Sequence, residues 1–337
     1  MRNLIAILLT FFTLSLYAQN NSEREDLLDN IFKSLEQNVA NPAWLQDKAF
    51  SQFKEDMYSE STLALDEDQF VTHFNTQVKN LSFTHFYLKP VKPSTSSDNN
   101  SSDVETSSEE SEYFSWKEIN EKTAYLRVQS FATNASEMVR ILQEIGYDKY
   151  ENLIVDLRNN GGGTLDAPVV LGRFLTGQNI DAGVYLTRKW FEKEHRSATK
   201  EDIASFPNLQ DFTYAGFTQM FQNEAAFRMA VPGHDGPVFK GNVYVLINQH
   251  TASACEPLIY YFKDQKIATL IGQKSAGAML SAYTFPINEK YGVFIPCADY
   301  QTSNGDRIDK VGVAPDIEVE SEKALDHVLE IIKEKNL

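Results

Sequence analysis

Cysteine is nearly absent from this chain, with only Cys255 and Cys297 among 337 residues. Two cysteines make neither a disulfide scaffold nor a metal-ligand set, so no metal is expected. Cys255 lies two residues after Ser253 on a candidate active-site turn, so two free buried thiols are expected rather than a bridge. Basic residues are also short, 31 against 47 acidic ones, for a net charge of −16. That balance argues against a nucleic-acid partner or a basic membrane-surface protein. A membrane-length apolar run is missing as well. Leu4 to Leu16 is too short to span, and with Arg2 before it and Ala18 ahead of Gln19 it reads as a secretory signal peptide. No cysteine stands at the cleavage point, which disfavours a lipid anchor. The mature chain is therefore expected to be exported, periplasmic or extracellular, and residues 1–18 are left out of the fold.

What is present is ample core material, 42% hydrophobic and 12% aromatic residues, enough for one large or two ordinary domains. Residues 19–88 read as a helical region. Leu27, Leu28, Ile31, Phe32 and Leu35 recur at helical spacing, and Phe70, Phe74 and Val78 repeat the pattern. The period switches from helix to strand at Leu81–Leu88. Residues 89–112 are rich in Ser, Thr, Asn and Glu, and have too little apolar material to offset the entropy of ordering, so they read as a disordered acidic linker. From Tyr113 to Leu337 strands alternate with helices. Strands are expected at 123–128, 153–157, 243–247 and 269–271, and helices at 136–145, 168–175 and 257–262. A terminal amphipathic helix carries Leu325, Val328, Leu329 and Ile332, with Ser321 as its cap. Such alternation implies an α/β fold with a mostly parallel or mixed sheet. The aromatic-rich stretch from Tyr185 to Phe239 suits either a substrate wall or a satellite hydrophobic cluster.

Two segments carry chemistry. Val243–Glu256 reads as a buried strand, a small-residue turn and the start of a helix, with Ser253 on the turn. A serine so placed is either an ordinary helix cap or a nucleophile with backbone amides beside it. Glu256 suits the start of the following helix, where negative charge is favoured. In Leu153–Thr164 a second buried strand runs through Asp156 and Arg158 into Gly161, Gly162 and Gly163. Neither a Walker lysine nor a spaced G-x-G-x-x-G pattern accompanies these glycines. An oxyanion hole is the alternative use of the turn, and it needs a nucleophile elsewhere.

Asp156-Leu-Arg-Asn-Asn-Gly-Gly-Gly, Thr251-Ala-Ser-Ala-Cys-Glu, Ile271-Gly-Gln-Lys-Ser-Ala-Gly and Gly312-Val-Ala-Pro-Asp-Ile follow one another in this order. Together they resemble the tail-specific, or C-terminal processing, serine peptidases of family S41, over residues 113–337. The resemblance implies a crotonase/ClpP-like α/β catalytic domain, Ser253 as nucleophile, and an oxyanion hole from Ala254 and the Gly161–Gly162 turn. The better-known branch takes its base from a lysine in a Gly-Lys-Gly motif, where this chain has Gly277-Ala278-Met279. Lys274 stands earlier in the loop and does not match. The family's PDZ module is missing too, its place taken by the acidic linker.

A serine hydroxyl without a lysine needs another base, most simply a histidine. His85, in Ser82-Phe-Thr-His-Phe, matches the upstream Ser/Thr-His motif of the tricorn-like branch, with Thr84 as its hydroxyl residue. The same resemblance places the acid at Asp309, where the family more often has glutamate. A secreted serine endopeptidase with a Ser-His-acid arrangement follows, acting on peptide or protein substrates without a cofactor. The rival readings are a catalytically silent protein that binds peptides or small hydrophobic ligands, and a hydrolase of non-peptide esters or amides.

Overall fold

The computed structural model describes residues 21–91, 113–132, 135–212 and 214–335. The expected signal peptide and residues 92–112 of the expected linker lie outside these. In chain order the first elements are α1 (residues 21–38), α2 (Lys48–Met57), α3 (Glu60–Leu63), α4 (Glu67–Gln77), β1 (Tyr87–Pro90), β2 (Phe114–Asn120), β3 (Thr123–Val128), α5 (Ala135–Ile145), β4 (Asn152–Asp156), α6 (Asp166–Leu175) and β5 (Ile180–Thr187). There follow α7 (Arg188–Glu194), α8 (Lys200–Ser205), α9 (Tyr214–Asn223), β6 (Ala226–Val231), β7 (Asn242–Ile247), α10 (Cys255–Asp264), β8 (Thr269–Gly272), β9 (Ser281–Pro286), β10 (Tyr291–Gln301), β11 (Ile317–Glu318) and α11 (Ala324–Lys335). Among the described residues, no helix is long and apolar enough to cross a membrane.

The chain divides into two compact units. Of the described residues, the first joins 21–91 with 191–193 and 280–299. Its helices start where acidic side chains satisfy the unpaired first-turn amides: Asp47 accepts from Phe50 N–H at 2.7 Å, and Asp66 from Gln69 N–H at 2.8 Å. Leu28, Ile31 and Leu35 of α1, Phe50 and Phe53 of α2, and Phe70 and Phe74 of α4 close on one core with Val293 and Ile295 of β10. The Phe74 ring meets Phe53 and Phe86 edge-on, with centroids 5.3 and 5.5 Å apart. Each such buried ring contributes roughly 1.5–3 kcal/mol. β10 carries β1 on one edge and β9 on the other, both antiparallel, with Phe294 opposite Tyr87 and Thr284. Nothing in the periodicity of residues 19–88 announces that a hairpin some two hundred positions later completes their core.

The second unit is built on a six-stranded sheet in the order β11-β8-β7-β4-β3-β2. Its strands are parallel except β2, which runs against β3. β4 is buried at every position and β7 at all but its first. Continuous apolar runs of this kind suit central parallel strands covered on both faces. α11 lays Ala324, Val328 and Ile332 against Tyr125, Ile154, Tyr244 and Ile271 of one face. α10 packs against α6 and β8. The terminal helix is not capped by Ser321, as the sequence suggested. Ser321 sits inside a 3-10 turn, where its carbonyl accepts from Arg158 and its hydroxyl from Asn248. The aromatic stretch resolves as a packed cluster: Tyr185 on β5 stacks on Phe227 of β6 at 5.3 Å and meets Phe217 of α9 at 5.6 Å, all three buried.

Candidate active site

Adjacent parallel strands release their chains at the same edge of a sheet, and there the motifs of the second unit collect. β4 lies beside β7, with Asp156 opposite Leu246, and β7 beside β8, with Leu246 opposite Ile271. The turns leaving them, 157–164, 248–254 and 273–278, therefore emerge side by side at the carboxyl ends of the strands, where open α/β sheets bind ligands. Asn160, buried between the first two turns, joins them. Its carbonyl accepts from Ala252 N–H at 2.9 Å, its side-chain amide donates to Val128 O at 3.1 Å, and its side-chain oxygen accepts from Gly162 N–H at 2.9 Å.

Ser253 stands half-buried at the head of α10 in a left-handed backbone conformation, φ 54°. A non-glycine residue pays a conformational penalty there and persists only where its surroundings hold it. Its hydroxyl has no hydrogen-bond partner among the described residues. Beside it the amide of buried Ala254, at the N-terminus of α10, donates to no acceptor among the described residues. An unpartnered amide at a helix start, where the dipole favours negative charge, is suited to an oxyanion. Gly162 packs directly against this turn with φ 98°. A Cβ there would come within 2.7 Å of Ser253 Cβ and 3.0 Å of Ala254 N, so no side chain fits. The Gly162 amide is taken by Asn160, whereas that of exposed Gly161 has no acceptor among the described residues.

Glu256, in the first turn of α10, is fully buried and does more than favour a helix start. Its Oε1 accepts from Ser275 Oγ at 2.7 Å and Gly277 N–H at 2.8 Å, and its Oε2 from Ala278 N–H at 2.9 Å and Ser253 N–H at 3.1 Å. Burial pushes this carboxyl up to about 6, against the pull of those four bonds. Ala278 returns its carbonyl to Ser253 N–H at 3.1 Å. Its side chain offers no base, and Lys274 lies exposed on the same loop. Cys255 is buried beside Asn160, and burial raises its thiol far above the ordinary range, so it stays protonated. Cys297 is also a free thiol, but half-buried rather than buried. Asp156 and Arg158 fix the first turn: Arg158 grips Asp156 through Nε at 2.9 Å and Nη2 at 2.6 Å, and Tyr125 adds a bond at 2.6 Å.

Asp309 belongs to the same unit and is fully buried, with Arg307 Nη2 3.3 Å from its Oδ2. The segment around it backs the third turn, because Lys310 N–H donates to Gly277 O at 2.7 Å and Val313 N–H to Ser275 Oγ at 2.7 Å. His85 and Thr84 belong to the other unit, just before β1. His85 also adopts the left-handed conformation, φ 59°. Its Nδ1 lies 2.8 Å from Thr84 Oγ1, and its ring lies 5.9 Å from that of Phe294. Burial lowers its imidazole to about 4. The other histidines bind locally or lie exposed: His73 pairs with Asp56 at 2.7 Å, His234 bonds Arg173 O at 2.8 Å, and His195 and His250 are exposed. Asn160 and Ser275 escaped the sequence reading, although both lie within the quoted motifs. Only their partners, far off in sequence, reveal their work.

Residues 122–319 match the model of peptidase family S41. The chain is 29% identical over 197 residues to the carboxyl-terminal-processing protease of Picosynechococcus sp., covering 58% of this chain and 39% of that protein. It is 30% identical over 201 residues to the carboxyl-terminal-processing protease of Synechocystis sp., covering 59% and 38%. It thus spans about two fifths of the length of these curated relatives. Among solved structures, a lipoprotein from Streptococcus agalactiae shares the fold at a TM-score of 0.53 and 16% identity, covering 94% of this chain and 96% of that one. With the glycine turn, the serine turn and the third loop gathered at one sheet edge, and the family model matching more than half its length, the chain belongs to peptidase family S41.

Proposed function

We propose that this chain is an exported serine endopeptidase that cleaves peptide bonds through Ser253, His85 and Asp309 by way of an acyl-enzyme. The observation that carries the reading is the Ser253 turn: a hydroxyl held left-handed beside the amides of Ala254 and Gly161, all three without a hydrogen-bond partner among the described residues. His85 serves as base. With its Nδ1–H donating to Thr84 Oγ1, the ring keeps its Nε2 lone pair, and burial keeps it neutral above about pH 4. Ser253 Oγ attacks the scissile carbonyl while His85 takes its proton. The carbonyl oxygen becomes the oxyanion and is received by the Ala254 and Gly161 amides. His85 then protonates the leaving amine as the C–N bond breaks. Water, deprotonated by His85, releases the acid and frees the serine. Asp309 supplies the negative charge that stabilises the transient imidazolium.

Export rests on the Arg2–Ala18 pattern, and a peptide substrate on the family. Labelling by a fluorophosphonate probe tests the assignment: the wild-type chain should be modified at Ser253, Ser253→Ala not at all, and His85→Ala far more slowly. Label that persists in Ser253→Ala would sink it. The alanine at 278, in place of the family's lysine, favours a second reading in which the same cleft binds peptides without cutting them. A wild-type chain that binds peptide yet never labels would select that reading.

A further inference from the structure

We propose that Glu256 is a positioning residue, whose carboxylate holds the nucleophile turn in its left-handed conformation and locks the third loop against it. The inference deepens the serine-peptidase reading and rests on it only for its kinetic consequence. One buried carboxylate gathers four donors from two segments: Ser253 from its own turn, and Ser275, Gly277 and Ala278 from the loop after β8. Ala278 closes the link by accepting from Ser253 N–H. Ser275 carries the hold outward by accepting from Val313 N–H. Gly277, at φ 64°, lies so close to the 310–312 segment that a Cβ would fall 2.8 Å from Gly312 N. The third loop is thus fixed from both sides, and the carboxylate is its only charged anchor among the bonds described. Without that anchor, nothing holds Ser253 N–H except one carbonyl, and the left-handed strain at Ser253 is free to relax.

Four acceptor sites require an ionised carboxylate. A proton on either oxygen occupies one of them and weakens the rest. The ionisable groups on the elements packed around Glu256 are Cys255 on its own helix, Tyr300 at the end of β10, Lys274 on the loop, and Arg307, Asp309 and Lys310 on the backing segment. Burial pushes Cys255 and Tyr300 far up, so both stay neutral. Burial likewise dominates the upward displacement of Glu256 itself, to about 6. His85, displaced down to about 4, titrates in a separate window. An acid limb near 6 therefore belongs to Glu256, and one near 4 to the base.

The test is the rate of fluorophosphonate labelling at Ser253 across the acid and neutral range, in wild type, Glu256→Gln and Ser275→Ala. Gln keeps the shape but places donors where donors already point. Its labelling should slow about ten- to a hundredfold, with the probe's saturation constant nearly unchanged and the limb near 6 gone. Ser275→Ala removes a bond to the charged form, so it should fold normally and move that limb to higher pH. Glu256→Gln labelling at the wild-type rate, or a limb that neither variant shifts, overturns the proposal. Amide hydrogen exchange separates it from the catalytic reading. In Glu256→Gln, the amides of Ser253, Gly277 and Ala278 should exchange at least about tenfold faster whether or not Ser253 is a nucleophile. Unchanged exchange there overturns the proposal even if labelling is lost.

Discussion

Ser253 and His85 share a property that composition could not announce: both are non-glycine residues held at positive φ, 54° and 59°. Strain of this kind is sustained only by surrounding contacts, and at Ser253 those contacts are two backbone turns and a carboxylate. His85 is neutral at ordinary pH because burial disfavours its charged form. For the proposed base this predicts that in Glu256→Gln, slower overall but freed of the limb near 6, kcat/KM stays level well below the ordinary histidine range and falls only toward about 4. Thr84→Val should cost about tenfold in kcat, because the ring loses the partner of Nδ1 and with it the preferred tautomer. A pH–rate profile and steady-state kinetics check both expectations. An unaltered kcat in Thr84→Val would remove Thr84 from the site.

Among the elements, the glycine turn after β4 and the serine turn after β7 work as one piece. Asn160 stitches them, and Gly162 leaves room for Ser253 and Ala254. Gly162→Ala forces a Cβ into that contact at a backbone conformation that side chains avoid. The turn must move away from the serine, so activity should fall about a hundred- to a thousandfold, the scale of losing an oxyanion donor. Its effect on stability should be far smaller in proportion, since no core contact is removed; kinetics alongside urea unfolding measure the two. The motifs themselves were legible because a phosphate loop or an oxyanion turn needs small residues in sequence. The roles of Asn160, Ser275 and Glu256 were not, since each depends on a partner from a different strand's end.

For the whole molecule, the titrations of Glu256 and His85 pull stability in opposite directions. Glu256 titrates at about 6 in the folded chain and at 4.5 ordinarily, so the fold binds its proton more tightly. Its contribution is full below 4.5 and is lost as pH rises through 6, by about 2 kcal/mol at neutral pH. His85, lowered from 6.5 to about 4, contributes stability above 6.5 that disappears as pH falls through 4. Comparison with Glu256→Gln isolates the first effect: the stability advantage of wild type should grow by about 2 kcal/mol from neutral pH down to 4.5. Equilibrium unfolding at several pH values reads this, and a flat difference would show that Glu256 is not displaced upward. The ionised form that positions the serine is thus the less stable one, a common trade at active sites.

The amino-acid sequence by itself determined the α/β alternation, because apolar runs flanked by glycine and small polar residues admit few other structures. It also determined the peptidase family, since four motifs in a set order leave little room for coincidence. The strands at 123–128 and 243–247, and the helix ahead of Asp264, are legible for the same reason: their signals are local. Only the tertiary structure decided that hairpin 280–299 closes the core of the N-terminal helices, because strand pairing is chosen by partners remote in the chain. Only tertiary structure decided that the Gly162 amide is taken by Asn160, and that Glu256 faces four donors rather than water. Burial and hydrogen-bond partnership are properties of neighbours in space, and on those the chemistry of Ser253 depends.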